Sequence, residues 1–274
     1  MTSDLSGFDT YIARWGLVPT GTPVFTRSSC LLPVHSNNGP AMLKVARAEE
    51  ERRGNHLMAW WDGAGAARVF AQEDDALLME RLGDDGALAA MARNGSDNEA
   101  SRIICDVATR LHAPRHLPAP EVMPLSIWFA DLRSAADQHG GIFATAAATA
   151  RDLLDDPRDI TVLHGDIHHG NILRSRERGW VAIDPKGLLG ERGFDFANIF
   201  CNPDAATATL PGRLARQADL VAAAGMQERR RLLPWILAHA GLSAAWLIQD
   251  GAKPDSRLTV AEIATAELAA LGEI

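Results

Sequence analysis

Two different rhythms of apolar and polar residues divide the chain. Between Pro23 and Leu82 the apolar residues come in short runs bounded by turn formers: VFTRSSCLLPV at 24–34, SNNGP at 36–40 and AMLKVA at 41–46. Asn38-Gly39 between two such runs predicts a β-hairpin, with Pro40 leaving the turn type open. Residues 67–71 and 76–80 read as two further strands. Between them and the hairpin, AEEERRGNHLMAWWDG at 48–63 has helical composition at its start. The pattern describes a small antiparallel sheet with one helix.

Beyond Gly83-Asp84-Asp85-Gly86 the spacing becomes helical. Residues 98–112 place Ile103, Ile104, Val107, Ala108 and Leu111 on one stripe. Residues 133–154 are alanine-rich and read as mostly helical despite Gly140-Gly141. Segments 212–224 and 227–249 follow, the second with Pro234 near its start, where proline is best tolerated. Thr259-Val260-Ala261-Glu262 has the form of a capping box and predicts that a last helix opens there. No internal repeat or low-complexity tract interrupts this order. Only residues 161–184 break it, with short strand-like pieces.

Composition narrows the class. The chain has 274 residues, 47% hydrophobic and 23% charged, which is ordinary for a globular protein and sets disorder and fibres aside. Lys+Arg 27 against Asp+Glu 35 gives a net charge of −8, which disfavours nucleic acid and suits a cationic small molecule. Cys30, Cys105 and Cys201 are far apart and odd in number, so no disulfide framework or zinc knuckle is expected. The start, MTSDLSGFDT, carries Asp4 and no basic region before an apolar stretch, unlike a signal peptide. No uninterrupted apolar run is long enough to predict a transmembrane helix. The expectation is a soluble cytoplasmic protein.

The candidate chemistry lies in the interrupting segment. Leu163-His-Gly-Asp-Ile-His-His-Gly-Asn-Ile-Leu173 has an apolar residue at each end and holds Asp166, three histidines, Asn171 and two glycines. Trp180-Val-Ala-Ile-Asp184-Pro185 follows, an apolar strand ending in a carboxylate 18 residues after Asp166. A loop, a strand, a turn at 176–179 and a return strand would bring both carboxylates to one edge of a hairpin. Asp184 and Asn171 are hard oxygen ligands suited to Mg²⁺, which binds one or two carboxylates together with phosphate oxygens. Asp166 would instead face a substrate hydroxyl. Phosphoryl transfer asks for little beyond such positioning and charge neutralisation. Lys44, the only lysine in the first 185 residues, sits in an apolar strand where an unpaired ammonium would be costly. The acidic run Glu49-Glu50-Glu51 can supply its partner. His164 and His169 read as hydrogen-bonded loop braces, with His168 left open. Trp60, Trp61 and Trp128 read as packing residues.

HGDxHxxN, then a strand ending in IDP, with an upstream strand lysine, resembles the aminoglycoside phosphotransferase family within the protein-kinase-like fold. The strings LHGDIHHGNI at 163–172, GWVAIDPKGLLGERGFDFANIF at 179–200, ERRGNHLMAWWDGAGAARVF at 51–70 and GLSAAWLIQDG at 241–251 are similar to its streptomycin 6-kinase and hydroxyurea phosphotransferase group. The resemblance implies an α+β bilobal fold, with a nucleotide-binding lobe at 1–82 and a catalytic, acceptor-binding lobe at 83–274. It implies Asp166 as the catalytic aspartate, Asn171 and Asp184 as Mg²⁺ ligands and Lys44 as the phosphate-binding lysine. Glu51 would pair with Lys44, although seven residues is a short separation and Glu50 is the alternative. Asp195 would brace the catalytic loop. Main-chain groups at Glu80 and Leu82 would hold the purine of ATP, or of GTP, and Ser28 and Ser29 would lie over the phosphates in a loop that lacks glycine.

The implied acceptor is a cationic aminoglycoside, streptomycin phosphorylated at its 6-position, with hydroxyurea or another metabolite alcohol as the alternative. Guanidinium groups pair bidentately with carboxylates, and Asp131, Glu191, Asp204 and Asp250 are the acidic candidates in the second lobe. Gly165-Asp166-Ile167-His168 also matches the opening of metallophosphoesterases, but these need GDxxD and GNHE-like ligand sets downstream, and here Gly170-Asn171 is followed by Ile172 and no GDxxD follows. A non-catalytic kinase-like module would be expected to lack Lys44, Asp166 or Asp184, and all three are present.

Overall fold

The computed structural model describes residues 7–83 and 86–272. Asp4, near the start of the chain, and Asp84-Asp85, where the spacing changes, lie outside the described residues. The chain opens with helix α1 (Asp9–Trp15) and strands β1 (Val18–Pro19), β2 (Val24–Phe25), β3 (Ser29–Ser36) and β4 (Gly39–Ala46). Helix α2 (Glu49–Trp61) and strands β5 (Val69–Glu73) and β6 (Ala76–Glu80) follow. The strands form one antiparallel six-stranded sheet in the order β1-β3-β4-β6-β5, with β2 also paired to β3.

The expected hairpin is β3–β4, shifted by one residue. Ser36 pairs with Gly39, so Asn37-Asn38 form the turn and Gly39 takes the positive φ of 96°. Alternation then sorts the two faces. Leu43 and Leu78 join Phe8, Leu17, Cys30, Leu32 and Val34 in a small core under α1, a helix the run pattern did not reveal. Lys44 and its cross-strand neighbour Leu77 face the other way, toward α2. That face continues into the main core through Leu57, Met58 and Trp61.

The rest is mostly helical. Helices α3 (Ala87–Arg93) and α4 (Asp97–Leu111) lead to β7 (Met123–Pro124), α5 (Leu125–Trp128), α6 (Ala130–His139) and α7 (Gly141–Asp155). Strands β8 (Ile160–Leu163), β9 (Ile172–Ser175), β10 (Gly179–Ala182) and β11 (Leu188–Glu191) carry the candidate chemistry. Helix α8 (Gly193–Ala197), a 3₁₀ turn (Asn198–Cys201), α9 (Ala205–Ala208), α10 (Arg213–Ala224), α11 (Arg229–Gln249) and α12 (Asp255–Ala270) complete the chain. Helix α11 is long and apolar enough to cross a membrane, but it is the centre of this lobe, buried along Leu232–Ala245 among α6, α7, α8 and α12.

The structure refines one helix expectation and corrects two. The segment 133–154 is two helices, because Gly140 takes φ 60°, ψ −150°, a backbone state open to glycine, and α7 restarts at Gly141. Pro234 is the sixth residue of α11, beyond the first turn, where the ring forgoes a main-chain hydrogen bond. The last helix begins at Asp255, and Thr259 lies inside it, donating its hydroxyl to the Asp255 carbonyl at 3.0 Å. The letters of a capping box serve here as a back-bonded threonine.

Candidate active site

The hairpin β9–β10 pairs Ile172 with Ala182 and Ser175 with Gly179. The loop before β9 and the residues after β10 therefore emerge at the same end. Asp166 and Asp184 stand there, with Asn171 between them: its main-chain carbonyl accepts from Ile183 at 2.9 Å, and its side-chain amide donates to the Asp166 carbonyl at 2.9 Å and to Asp166 Oδ2 at 3.2 Å. Asn171 Oδ1 accepts no hydrogen bond among the described residues and is free for a cation.

The loop is held from beneath. Asp195 accepts from the His164 amide at 2.9 Å, the Gly165 amide at 2.7 Å and His112 Nε2 at 2.8 Å. Burial would raise the Asp195 pKa, but the His112 hydrogen bond and neighbouring charges outweigh it and hold the carboxylate below its usual range. His164 is fully buried, stacked on Trp61 at 6.0 Å. Its Nε2 lies 2.9 Å from the Ile183 carbonyl and its Nδ1 accepts from the Asp166 amide at 3.2 Å, which assigns the Nε2–H tautomer. Burial lowers its pKa to about 4, so the ring is a neutral brace. His169 is buried too, but neither ring nitrogen has a hydrogen-bond partner among the described residues, so the expected brace is a packed, neutral imidazole instead. His168 accepts from the Gly170 amide at 3.0 Å and lies 3.8 Å from Asp166 Oδ1.

Asp166 has a third holder that its own segment does not contain. Asn198 Nδ2 donates to Asp166 Oδ1 at 2.9 Å. Within FDFAN at 194–198, the sequence motif points to Asp195 and not to Asn198. Burial raises the Asp166 pKa, with His168 and Lys186 pulling it back down.

On the sheet side, Lys44 is almost fully buried and contacts both Glu51 and Asp184 Oδ1, the latter at 2.5 Å. Glu51, not Glu50, is thus the helix partner, and one turn of α2 is enough because the helix starts at Glu49 directly after β4. Glu50 reaches Lys186 at 3.2 Å, and Lys186 also lies 3.6 Å from Glu51 and 3.7 Å from Asp184 Oδ2. Sequence reasoning missed Lys186, although it directly follows the IDP string and is one of three lysines in the chain. Burial opposes ionisation of Asp184, but Lys44 and Lys186 win and hold its carboxyl well below the usual range. Asp184 itself sits at φ 61°, a left-handed backbone that few non-glycine residues adopt.

Four carboxylates (Glu50, Glu51, Asp166 and Asp184) face two lysines, so the cluster carries excess negative charge. No group of three or more His, Cys, Asp or Glu suited to a metal cage is present among the described residues. The open Asn171 oxygen beside Asp184 fits Mg²⁺, which shares its shell between few protein oxygens and nucleotide phosphates.

The remaining expected residues are placed unevenly. Ser28 donates to Glu51 Oε1 at 2.9 Å, next to the lysine. Ser29 opens β3, is buried, and shares its hydroxyl with Thr26 at 3.1 Å. The Glu80 amide is committed to the Arg68 carbonyl at 2.9 Å, whereas the Leu82 amide has no partner among the described residues. Of those two amides, Leu82 alone offers a donor to a purine. The Glu80 carboxylate, unforeseen, takes Ser175 at 3.0 Å, the Arg68 amide at 2.7 Å and the Arg178 guanidinium, tying β6 to the β9–β10 hairpin.

The acidic candidates also separate. Glu191 is buried against Arg231 and Trp235, Asp131 accepts from the Trp246 indole at 2.9 Å, and Asp204 caps α9 while pairing with Arg93. Asp250 meets Arg27 at 3.1 Å.

Residues 14–251 match the family model described as aminoglycoside/hydroxyurea antibiotic resistance kinase. The chain belongs to this family. It is a kinase, a phosphotransferase with an alcohol group as acceptor. A streptomycin 3''-kinase of Klebsiella pneumoniae is 53% identical over 87% of this chain and 91% of its own length. A streptomycin 6-kinase of Streptomyces griseus is 28% identical over 92% of this chain and 86% of its own. The solved aminoglycoside phosphotransferase APH(3'')-Id of Streptomyces rimosus, in complex with ADP and streptomycin, superposes with a TM-score of 0.56 at 19% identity, covering 88% of this chain and 97% of that one. The fold is the bilobal α+β, protein-kinase-like fold that the motifs implied.

Proposed function

We propose that this kinase transfers the γ-phosphoryl group of ATP to streptomycin, at the 3''-hydroxyl and not at the 6-position expected from the motifs. The 53% identity to a streptomycin 3''-kinase over nearly its whole length carries the choice of position, since the 6-kinase of Streptomyces griseus stands at 28%. The nucleotide lies between a sheet lobe, residues 1–82, and a helical lobe, residues 83–274. Lys44, fixed by Glu51, meets its phosphates, and the Leu82 amide faces the purine edge.

Asp184 and Asn171 would hold Mg²⁺, which would supply positive charge to offset that of the phosphates. Asp166 receives the acceptor hydroxyl and its proton. Pinned at both oxygens by Asn198 and Asn171, it directs one lone pair at the hydroxyl without reorganising. Its raised pKa makes it a better proton acceptor than an exposed aspartate would be.

The test is a coupled ATP-consumption assay with streptomycin, hydroxyurea and no acceptor in parallel, followed by product mass and NMR assignment of the phosphorylated carbon. Streptomycin-dependent turnover with phosphate on the 3''-oxygen is expected. Phosphate at the 6-position, or turnover with hydroxyurea alone, overturns the assignment.

A further inference from the structure

Arg27 and Asp250 join the two lobes beside the loop that approaches the phosphate end of the site. Arg27 lies between β2 and β3, next to Ser28, whose hydroxyl binds the Glu51 that holds Lys44. Asp250 is the C-cap of α11, and its Oδ1 accepts from Arg27 Nη1 at 3.1 Å. Four residues earlier on the same face of α11 stands Trp246, which donates its indole N–H to Asp131 and meets Trp128 edge to face at 5.4 Å. An exposed carboxylate is a natural seat for a guanidinium, whose planar fork of donors matches it.

The ion pair has little structural work to do. Its side chains are 93% and 61% exposed, and a pair that open to water contributes about 0–1 kcal/mol. The Arg27 loop is already closed by Thr26, whose hydroxyl accepts from the Ser29 amide at 2.9 Å. An incoming guanidinium can therefore replace Arg27 on Asp250 with almost no net cost in ion pairing. Streptomycin carries two guanidinium groups on its cyclitol ring.

We propose that Asp250 is the subsite for an acceptor guanidinium and that Arg27 occupies it as an internal stand-in, displaced when the acceptor arrives. The inference rests on the streptomycin reading and adds the residue that recognises the cation. It also gives the chain's own arginine the role of a competitor.

Arg27→Gln and Asp250→Asn break the same bond, so a mere strut would respond alike to both. A stand-in responds with opposite signs. Asp250→Asn is expected to raise the KM for streptomycin about tenfold, because the acceptor's contact, shielded from water in the complex, is stronger than the exposed Arg27 pair it replaces. Arg27→Gln is expected to lower that KM about threefold, by removing the competitor. The double variant should match Asp250→Asn. Equal or same-direction shifts overturn the proposal. Calorimetric titration with streptidine, the diguanidino cyclitol of streptomycin, separates this from the assignment of the reaction. If wild-type protein binds streptidine, and Asp250→Asn weakens and Arg27→Gln strengthens that binding, the subsite stands even if streptomycin is not phosphorylated. No streptidine binding, or binding indifferent to both substitutions, overturns the subsite even where streptomycin turns over.

Discussion

Asn198 donates to Asp166 Oδ1 at 2.9 Å from a 3₁₀ turn that directly follows the helix carrying Asp195. The aspartate's other oxygen is held by Asn171, at 3.2 Å. Replacing Asn198 with Ala frees the carboxylate to turn about its last bond. A misplacement of about 1 Å can cost on the order of a hundredfold in rate. Asn198→Ala should thus lower kcat by about 10- to 100-fold while the KM for ATP moves far less. Steady-state kinetics with ATP and streptomycin checks it, and an unchanged kcat would contradict a positioning role.

Removing Asp166 and removing Asp184 should fail differently. Asp166→Ala should abolish transfer and leave nucleotide binding nearly intact, because in the proposed mechanism Asp166 takes the acceptor hydroxyl and touches no part of the nucleotide. Asp184→Ala should remove the Mg²⁺ dependence of nucleotide binding, and it leaves Lys44 and Lys186 without the carboxylate they share. Nucleotide titration with and without Mg²⁺ distinguishes the two. Retained turnover in Asp166→Ala would sink the mechanism.

Lys186 lowers the pKa of both Asp166 and Asp184. Lys186→Met should let both carboxyls protonate at higher pH. The acid limb of the kcat/KM profile then moves upward, by about one pH unit or less for loss of one nearby charge. A limb that stays where it was would show that Lys186 does not govern the ionisation of Asp166 or Asp184.

Gly54, inside α2, touches the strand end that carries Asp184. A Cβ built there falls 2.2 Å from the Pro185 carbonyl oxygen. In an exposed helix, Gly to Ala gains about 1 kcal/mol. Here the methyl must push α2, and Glu51 with it, away from Asp184. Gly54→Ala should lose roughly 1–3 kcal/mol by overpacking and reduce activity as well. A raised melting temperature would show that the helix is free to move aside.

Acid should unfold the protein through its neutral buried histidines. Burial lowers His164 and His169 to about 4 and His239 to about 3. Between those values and the unfolded pKa of about 6.5, the unfolded chain binds protons that the folded one refuses. Stability is therefore full above about pH 6.5 and falls as pH drops, by up to about 1.4 kcal/mol per pH unit for each histidine. Asp166, whose pKa is raised, opposes this with a single group. Urea midpoints at pH 7.5, 6.0 and 5.0 measure the slope, and His239→Gln should flatten it by one histidine's share.

What the sequence revealed was what neighbouring residues declare together. Residues 164–171 and the IDP end carry their chemistry within one loop and one strand, and the runs at 41–46 and 76–80 carry their own alternation. Asn198, the Glu80–Arg178 pair and the reach of Lys186 to Glu50 and Glu51 were hidden because each joins residues far apart along the chain, where no period or spacing records the contact. Thr259 misled for a different reason. A hydroxyl bonded one turn back and a hydroxyl capping a helix start use the same letters. Gly140-Gly141 was read as tolerated within a helix, but both residues adopt positive φ.

Asp195 binds the two amides that open the catalytic loop and the imidazole that ends α4. Its grip makes the position of Asp166 depend on how α4 and α8 sit against each other. Turnover is then an early gauge of how well the helical lobe is assembled. On gentle heating, phosphorylation should fade while the nucleotide-facing sheet is still intact, and substitutions that disarm resistance can lie deep among the helices, well away from either substrate.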